Sequence, residues 1–134
     1  MGRELKWLVE DEIIHQRYYE TMTADEILEG TAEINPMING SPRQMVHVVM
    51  QMDGVNTITK NVKKLADACM PLFNNKKIGW FIVYGDMNRF VRFLGESITQ
   101  MFGVRYRAFD TLEESLDFLQ TRDAELHIPE DLPV

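Results

Sequence analysis

The chain has 134 residues, of which 45% are hydrophobic and 26% charged, and its net charge is -7. This size and composition predict one soluble globular domain. The acidic balance argues against nucleic-acid binding, which takes most of its affinity from a basic surface. No apolar run reaches the roughly 20 residues that a membrane span needs. One cysteine, Cys69, cannot form an internal disulfide, and the N-terminus lacks the apolar stretch of a secretory signal, so we expect a cytoplasmic protein.

The first part of the chain predicts a hairpin, a helix and a third strand. Residues 5–9 alternate apolar and polar positions, and residues 13–19 are rich in β-branched and aromatic side chains, with a short polar turn between them. Thr23 and Glu26 have the spacing of a capping box and predict a helix, which we expect to end or kink near Pro36. Residues 45–52 predict the third strand.

The rest of the chain alternates helices and strands. A helix is predicted from about Ile58, followed by a strand over 78–84 and a helix over 88–102 that Gly103 ends. A strand over 104–109 and a capped helix over 112–121 complete the pattern. Residues 78–109 therefore predict a right-handed crossover between two parallel strands. Residues from 123 onward show no periodicity, so we expect a domain over 1–122 and an extended or disordered acidic tail over 123–134.

The element order β-β-α-β-α-β-α-β-α predicts an α/β fold. We expect a small single-domain mixed sheet of about five strands, with an antiparallel N-terminal hairpin, parallel strands after it, and four helices mainly on one face. The helix that ends at Gly103 is expected to turn one apolar stripe to the core, formed by Val91, Leu94, Ile98, Met101 and Phe102.

The second face of the predicted sheet lacks an obvious cover. It combines apolar side chains with a charged rim, a composition typical of protein–protein interfaces. We predict that it packs against a second copy in a homodimer; the alternative is that the early helix or the tail of the same chain folds over it. Assigned by alternation along each strand, the interface residues are Met45, His47, Val49, Phe81, Val83, Arg105 and Arg107.

One turn is a candidate ligand or anion loop. Gly85, Asp86, Asn88 and Arg89 follow a strand and open a helix, the position at which open α/β sheets bind ligands. The turn lacks a glycine-rich phosphate cradle, and Asp86 or Asn88 capping the helix is the simpler interpretation.

Two histidines and four arginines are further candidate sites. His15 and His47 fall on neighbouring predicted strands with the same orientation, but no third ligand accompanies them, so we predict no metal. The arginines at positions 89, 92, 105 and 107 would suit a carboxylate or phosphate if they gather, and surface ion pairs are the alternative.

The nine methionines suggest an interior that can re-pack around an apolar guest, with ordinary core filling as the alternative. The methionines assigned to this interior are Met22, Met50, Met52, Met70 and Met101. No nucleophile signature, paired acid and base or cofactor loop is visible, so we predict no cofactor and no enzymatic activity.

Three features carry a family resemblance: the element order, the sequence Thr-Met-Thr-Ala-Asp-Glu-Ile after the hairpin, and an ending in which Phe109 closes a strand and Thr111 opens a capped helix that runs to Leu119. Over roughly residues 5–119 they resemble the STAS family. The most similar branch is the divergent SpoIIAA-like one, related to the sporulation anti-sigma-factor antagonist, which also resembles the SEC14/CRAL-TRIO lipid-binding fold.

The resemblance does not extend to the regulatory phosphorylation motif. Phosphoregulated members of the family carry Asp-Ser-x-Gly or Asp-Thr-x-Gly after the third strand, and no such motif follows Asp53 here. Thr57 and Thr59 are predicted to cap the next helix instead. The resemblance implies a non-enzymatic protein-interaction or regulatory module that acts as a homodimer or docks a cytoplasmic partner. The alternative is a carrier or sensor of a small apolar, lipid-like molecule.

Overall fold

The computed structural model describes residues 3–131, so the first two residues of the predicted domain and the last three of the predicted tail lie outside the described residues. The elements are β1 (Arg3–Val9), β2 (Ile13–Tyr18), β3 (Thr21–Met22), α1 (Ala24–Gly40), β4 (Val46–Gln51), β5 (Thr57–Ile58), α2 (Val62–Phe73), β6 (Ile78–Tyr84), α3 (Arg89–Phe102), β7 (Arg105–Phe109) and α4 (Leu112–Arg122).

Five strands form the main sheet, in the order β1-β2-β4-β6-β7. Strands β1 and β2 are antiparallel, and every other neighbouring pair is parallel. The short strands β3 and β5 pair separately with each other. The predicted α/β class and mixed five-stranded sheet are therefore confirmed. None of the helices in residues 3–131 is long and apolar enough to cross a membrane.

Local sequence signals set most helix ends. Capping boxes at Thr23 and Thr111 open α1 and α4, and Gly103 ends α3 with a φ of 69°. Helix α1 does not end at Pro36 but continues to Gly40, because the buried side chains of Ile34 and Ile38 hold the flanking turns to the core; the kink proposed there stays a prediction.

Helix α2 begins later than predicted. Asn61 caps it by accepting the Lys64 N–H at 3.1 Å, so the prediction that Thr57 or Thr59 caps this helix is wrong. Thr59 instead accepts the backbone N–H of Ala24 at 2.9 Å and joins the start of α1 to the loop before α2.

Helices α1, α2 and α3 cover the first face of the sheet, and α4 lies on the second. The first core contains the inner faces of the three helices with Ile14, Val48 and Phe81 of the sheet. The second core joins α4 and Leu126, beyond α4, to the opposite sheet face. Each sheet face is thus buried by elements of the same chain, with three of the four helices on one side.

An extra residue in β6 changes the face predicted for two side chains. Val46 pairs with Ile78 whereas Val48 pairs with Phe81, so β6 has one more residue than β4 between these two pairs. The bulge reverses the alternation, and Phe81 and Val83 point into the first core. The prediction that these two side chains lie on the second face is therefore wrong.

Candidate functional site

Two of the predicted interface residues lie at the centre of the second face, where the chain itself covers them. His47 and Val49 are fully buried. Helix α4 contributes Leu116 and Leu119 to this core, and the segment after it contributes Leu126. The alternative that the tail of the same chain covers this face is confirmed, but the helix beside it is α4, whereas the early helix α1 packs on the first face. A contact between two molecules through His47 and Val49 would require this cover to leave.

The two arginines predicted at the rim of the interface also contact their own chain. The guanidinium carbon of Arg107 lies 5.3 Å from the ring centre of Phe109 and 4.7 Å from that of Phe118. The guanidinium of Arg105 donates to the sulfur of half-buried Met45 at 3.7 Å. The predicted interface residues are therefore divided between two faces and do not form one open surface.

His47, Asp123 and Arg43 hold the C-terminal segment onto the second face. Asp123 Oδ2 lies 2.9 Å from His47 Nε2 and accepts from the Arg43 guanidinium at 2.5 Å. His47 Nδ1 accepts the backbone N–H of Trp80, inside the bulge, at 2.9 Å. A neutral imidazole with Nδ1 as acceptor carries its proton on Nε2, from which it donates to Asp123. Gly79 makes room for the ring, since a Cβ there would lie 2.4 Å from Nδ1.

Burial and hydrogen bonding fix the charges of this group. Burial lowers the pKa of His47, and the hydrogen bond to Asp123 opposes only part of that effect. Burial disfavours ionisation of Asp123, but hydrogen bonds from Arg43 and His47 outweigh it and lower the pKa of this carboxyl. At neutral pH the group is thus a neutral imidazole, a carboxylate and a guanidinium.

A second set of contacts fixes the same segment further along. The backbone N–H of His127 donates to Glu12 Oε1 at 2.7 Å, and His127 Nδ1 lies 2.6 Å from Glu12 Oε2. Leu126 is buried and Ile128 packs against the second core. Residues 123–128 are therefore attached to the domain by apolar and polar contacts together, although they form neither helix nor strand.

The predicted anion loop is occupied by a carboxylate of the chain. Gly85 has a φ of 107°, and a Cβ there would lie 2.8 Å from the Asp53 carboxylate. The Asp86 N–H donates to Asp53 at 2.6 Å, while Asn88 caps α3 and Arg89 is its exposed first residue. The structure brings the four loop residues together, but Asp53 stands where an anion would bind. The interpretation of Asn88 as a helix cap is confirmed.

The two histidines share one sheet face but have separate partners. His15 is buried and its Nε2 lies 2.7 Å from the Tyr84 hydroxyl, and burial lowers the pKa of His15 to about 4. His47 is engaged by Trp80 and Asp123 as described above. Within residues 3–131 no three histidine, cysteine or acidic side chains are grouped to hold a metal ion.

Helix α3 carries an exposed apolar stripe formed by Phe90, Phe93 and Met101. At 3.6 residues per turn these positions fall within about 80° of the helix circumference. Their side chains are 44%, 62% and 63% exposed, respectively. The prediction that Met101 faces the core is wrong, because Leu94 and Ile98 fill the inner face of the helix.

Beneath α3 lies an apolar cavity of about 90 Å³, between the first sheet face and helices α1, α2 and α3. Most lining atoms are carbon or sulfur. Met22, Met50, Met52 and Met87 contribute to the wall, so three of the methionines assigned to the interior do line a space. Met70 is exposed, contrary to its predicted place in this interior.

One hydroxyl in the cavity wall has no partner. Thr31 and Thr99 donate to backbone carbonyls of their own helices, and the Tyr18 hydroxyl bonds Gln16 and the Glu26 carbonyl. The Tyr106 hydroxyl is buried and forms no hydrogen bond within residues 3–131. Burial raises the pKa of Tyr106 to about 12, so the group is a protonated donor at neutral pH.

The sequence analysis misses the stripe and the bulge. It assigns no role to Phe90 and Phe93, although with Met101 they repeat at helical spacing next to a second apolar face. Gly79 inside a strand was the available signal for the bulge. The Tyr106 hydroxyl had no signal, since its isolation depends on which residues surround it in space.

No protein-family model matches the chain, and no curated protein matches it. Two solved structures share its fold. An uncharacterized DUF3478-family protein from Shewanella loihica PV-4, described as having a SpoIIAA-like fold, is 11% identical with a TM-score of 0.61, covering 88% of this chain and 94% of that one. The Bacillus cell fate determinant SpoIIAA, in its phosphorylated form, is 12% identical with a TM-score of 0.56, covering 88% and 99%. The predicted SpoIIAA-like fold is thus confirmed, and the SEC14 relationship stays a prediction.

Proposed function

We propose that this SpoIIAA-like fold serves as a non-enzymatic regulatory module that docks a protein partner through the exposed stripe of α3. The fold supports a regulatory module of the STAS type in general terms. The observation that carries the docking surface is the exposure of Phe93 and Met101, at 62% and 63%, on the same side of one helix as Phe90. Large apolar side chains grouped on a surface mark contact sites, and aromatic residues supply much of the energy of such contacts.

The charges beside the stripe favour a partner with acidic groups. Arg89 and Arg92 precede Phe90 and Phe93 in sequence, and Arg92 and Arg107 line the same groove between α3 and β7. Glu96 lines this groove as well, and Asp110 pairs with Arg92 at 3.3 Å, so Arg89 and Arg107 are the cations beside the stripe that form no ion pair within residues 3–131. A second copy presenting the same helix would bring like charges together, whereas an apolar surface flanked by carboxylates would be attracted. We therefore assign the stripe to an apolar protein surface with acidic flanks.

The test places a photo-cross-linking amino acid at Phe93 in the native cells, with Leu28 as a matched exposed position on α1. The cross-linked partner is identified, purified and titrated with the chain. We expect Phe93→Glu to weaken binding at least tenfold, Leu28→Glu to change it less than twofold, and added salt to weaken it. Equal effects of the two substitutions would refute the docking surface.

Two other occupants of the stripe have distinct outcomes. If light scattering finds that the purified chain is a dimer, and Phe93→Glu dissociates it, the occupant of the stripe is a second copy of the chain. If the chain sediments with neutral phosphatidylcholine vesicles, and Phe93→Glu abolishes this, the occupant is a lipid surface. Either result contradicts the partner proposed here.

A second candidate function is that of a carrier or sensor of a small apolar molecule. The cavity of about 90 Å³ beneath α3 supports it, since its wall is apolar and four methionines can re-pack there. Because α3 carries the stripe outside and lines the cavity inside, the two candidate functions are compatible in one molecule. Native mass spectrometry of the chain purified from its own cells tests this candidate, and a chain with no bound small molecule would count against it.

A further inference from the structure

The geometry points to the Tyr106 hydroxyl as the anchor of a ligand site: we propose that the cavity beneath α3 binds a compact, largely apolar molecule that carries one hydrogen-bond acceptor. This inference rests on the second candidate function and names its ligand class and polar contact. It does not depend on the docking surface.

The size of the cavity sets the size of the ligand. One water needs roughly 10–15 Å³, so a cavity of about 90 Å³ admits on the order of six non-hydrogen atoms. Met87, just before α3, and Val91, in its first turn, are half-buried members of the wall.

The chemistry of the wall sets the class of ligand. Nearly all of it is apolar, which selects hydrocarbon groups. The buried Tyr106 hydroxyl is a donor without an acceptor within residues 3–131, although most buried polar groups in folded proteins are hydrogen-bonded. A water would satisfy this donor less well, because a buried water needs two to four polar partners and nearly all of the wall is apolar. A carbonyl or ether oxygen within an apolar ligand needs only this one donor.

Gly95 fixes where the hydroxyl lies. A Cβ at this position of α3 would lie 2.7 Å from the Tyr106 hydroxyl oxygen, so the absence of a side chain lets the ring reach under the helix. The Phe81 ring stacks on the Tyr106 ring with centres 6.4 Å apart and an interplanar angle of 24°. The position of the donor is therefore set by a helix on one side and a core aromatic ring on the other.

The test compares two probes that differ in one group. Cyclopentanone and methylcyclopentane both have six non-hydrogen atoms, and only the ketone can accept a hydrogen bond. Each is titrated, to its solubility limit, into the ¹⁵N-labelled full chain while the amide resonances of Val83 and Leu94 are followed. The ketone loses more hydration on binding than the hydrocarbon, so the readout is the ratio of the ketone affinity to the methylcyclopentane affinity. We expect this ratio to be about two- to tenfold higher in the wild type than in Tyr106→Phe, the range that one net hydrogen bond supplies.

Tyr106→Phe removes the hydroxyl and keeps the ring, so it should lower the affinity ratio and leave methylcyclopentane binding within about twofold. Tyr84→Phe is the matched control, because it removes a buried hydroxyl from the opposite sheet face and should leave the ratio unchanged. A ratio that is the same in the wild type and in Tyr106→Phe would overturn the anchor alone. Failure of both probes to shift these resonances would overturn the anchor and the ligand-binding function together.

Discussion

Removing the carboxylate of Asp123 should release the C-terminal segment from the second sheet face. The side chain is only 7% exposed and accepts from Arg43, which is 22% exposed, and from fully buried His47. Removing one member of a buried ion pair typically costs 3–5 kcal/mol, because the other charge is left without a partner. Arg43 keeps some contact with water, so we expect Asp123→Ala to lower the free energy of unfolding by about 2–4 kcal/mol.

Urea unfolding at pH 7 measures this change by linear extrapolation. Asp117→Ala, an exposed acid on α4, is the matched control and should change stability by less than about 0.5 kcal/mol. Asp123→Asn should fall between the two, since its carbonyl still accepts from His47 while the guanidinium loses its counter-charge. Hydrogen exchange at Leu126 should rise with Asp123→Ala. A variant within about 0.5 kcal/mol of the wild type, with unchanged exchange, would refute the assignment of this group as the attachment of the segment.

Two further predictions concern the two cores. The pKa of His15 is about 4 in the folded chain and about 6.5 when unfolded, so the unfolded state binds more protons between these values and stability falls as pH drops through that window. We expect this residue to lower the free energy of unfolding by about 3 kcal/mol between pH 7 and pH 4. The free energy of unfolding of His15→Gln should fall less over the same range. An NMR titration of the folded chain in which His15 titrates near pH 6.5 would contradict this prediction. Phe81→Ala should lower the free energy of unfolding by about 3–5 kcal/mol, because it leaves a void in the first core, and should not alter the oligomeric state. If the variant instead dissociates a dimer at unchanged stability, the Phe81 side chain lies in an intermolecular contact.

The sequence predicts the fold well because the determining signals are local. Capping boxes at Thr23 and Thr111 and the glycine stop at Gly103 lie within a few residues of the ends they fix. Pro36 does not end α1, because its local penalty competes with burial of the turns on either side, which is a tertiary effect. Local rules thus fail where packing from elsewhere in the chain supplies the larger free energy.

The candidate site could not be predicted in the same way. The sheet face on which Phe81 lies depends on the bulge between Ile78 and Phe81, because one extra residue there reverses the direction of every later side chain in the strand. Assigning Phe93 required knowing which helix faces were already filled, and the isolation of the Tyr106 hydroxyl depends on the positions of three helices. Alternation gives two faces to each strand, but only coordinates show what lies against each of them.

The attachment of residues 123–128 has a consequence for biosynthesis. Glu12 and His127 meet across a separation of 115 positions, and His47 and Asp123 across 76, so both pairings wait until residues 123–127 have left the ribosome. A nascent chain halted soon after Arg122 would lack the partner of His47 and the side chain of Leu126, and the exposed part of the second core would be prone to self-association or chaperone capture. Closure of the second core thus follows synthesis of the short segment after α4.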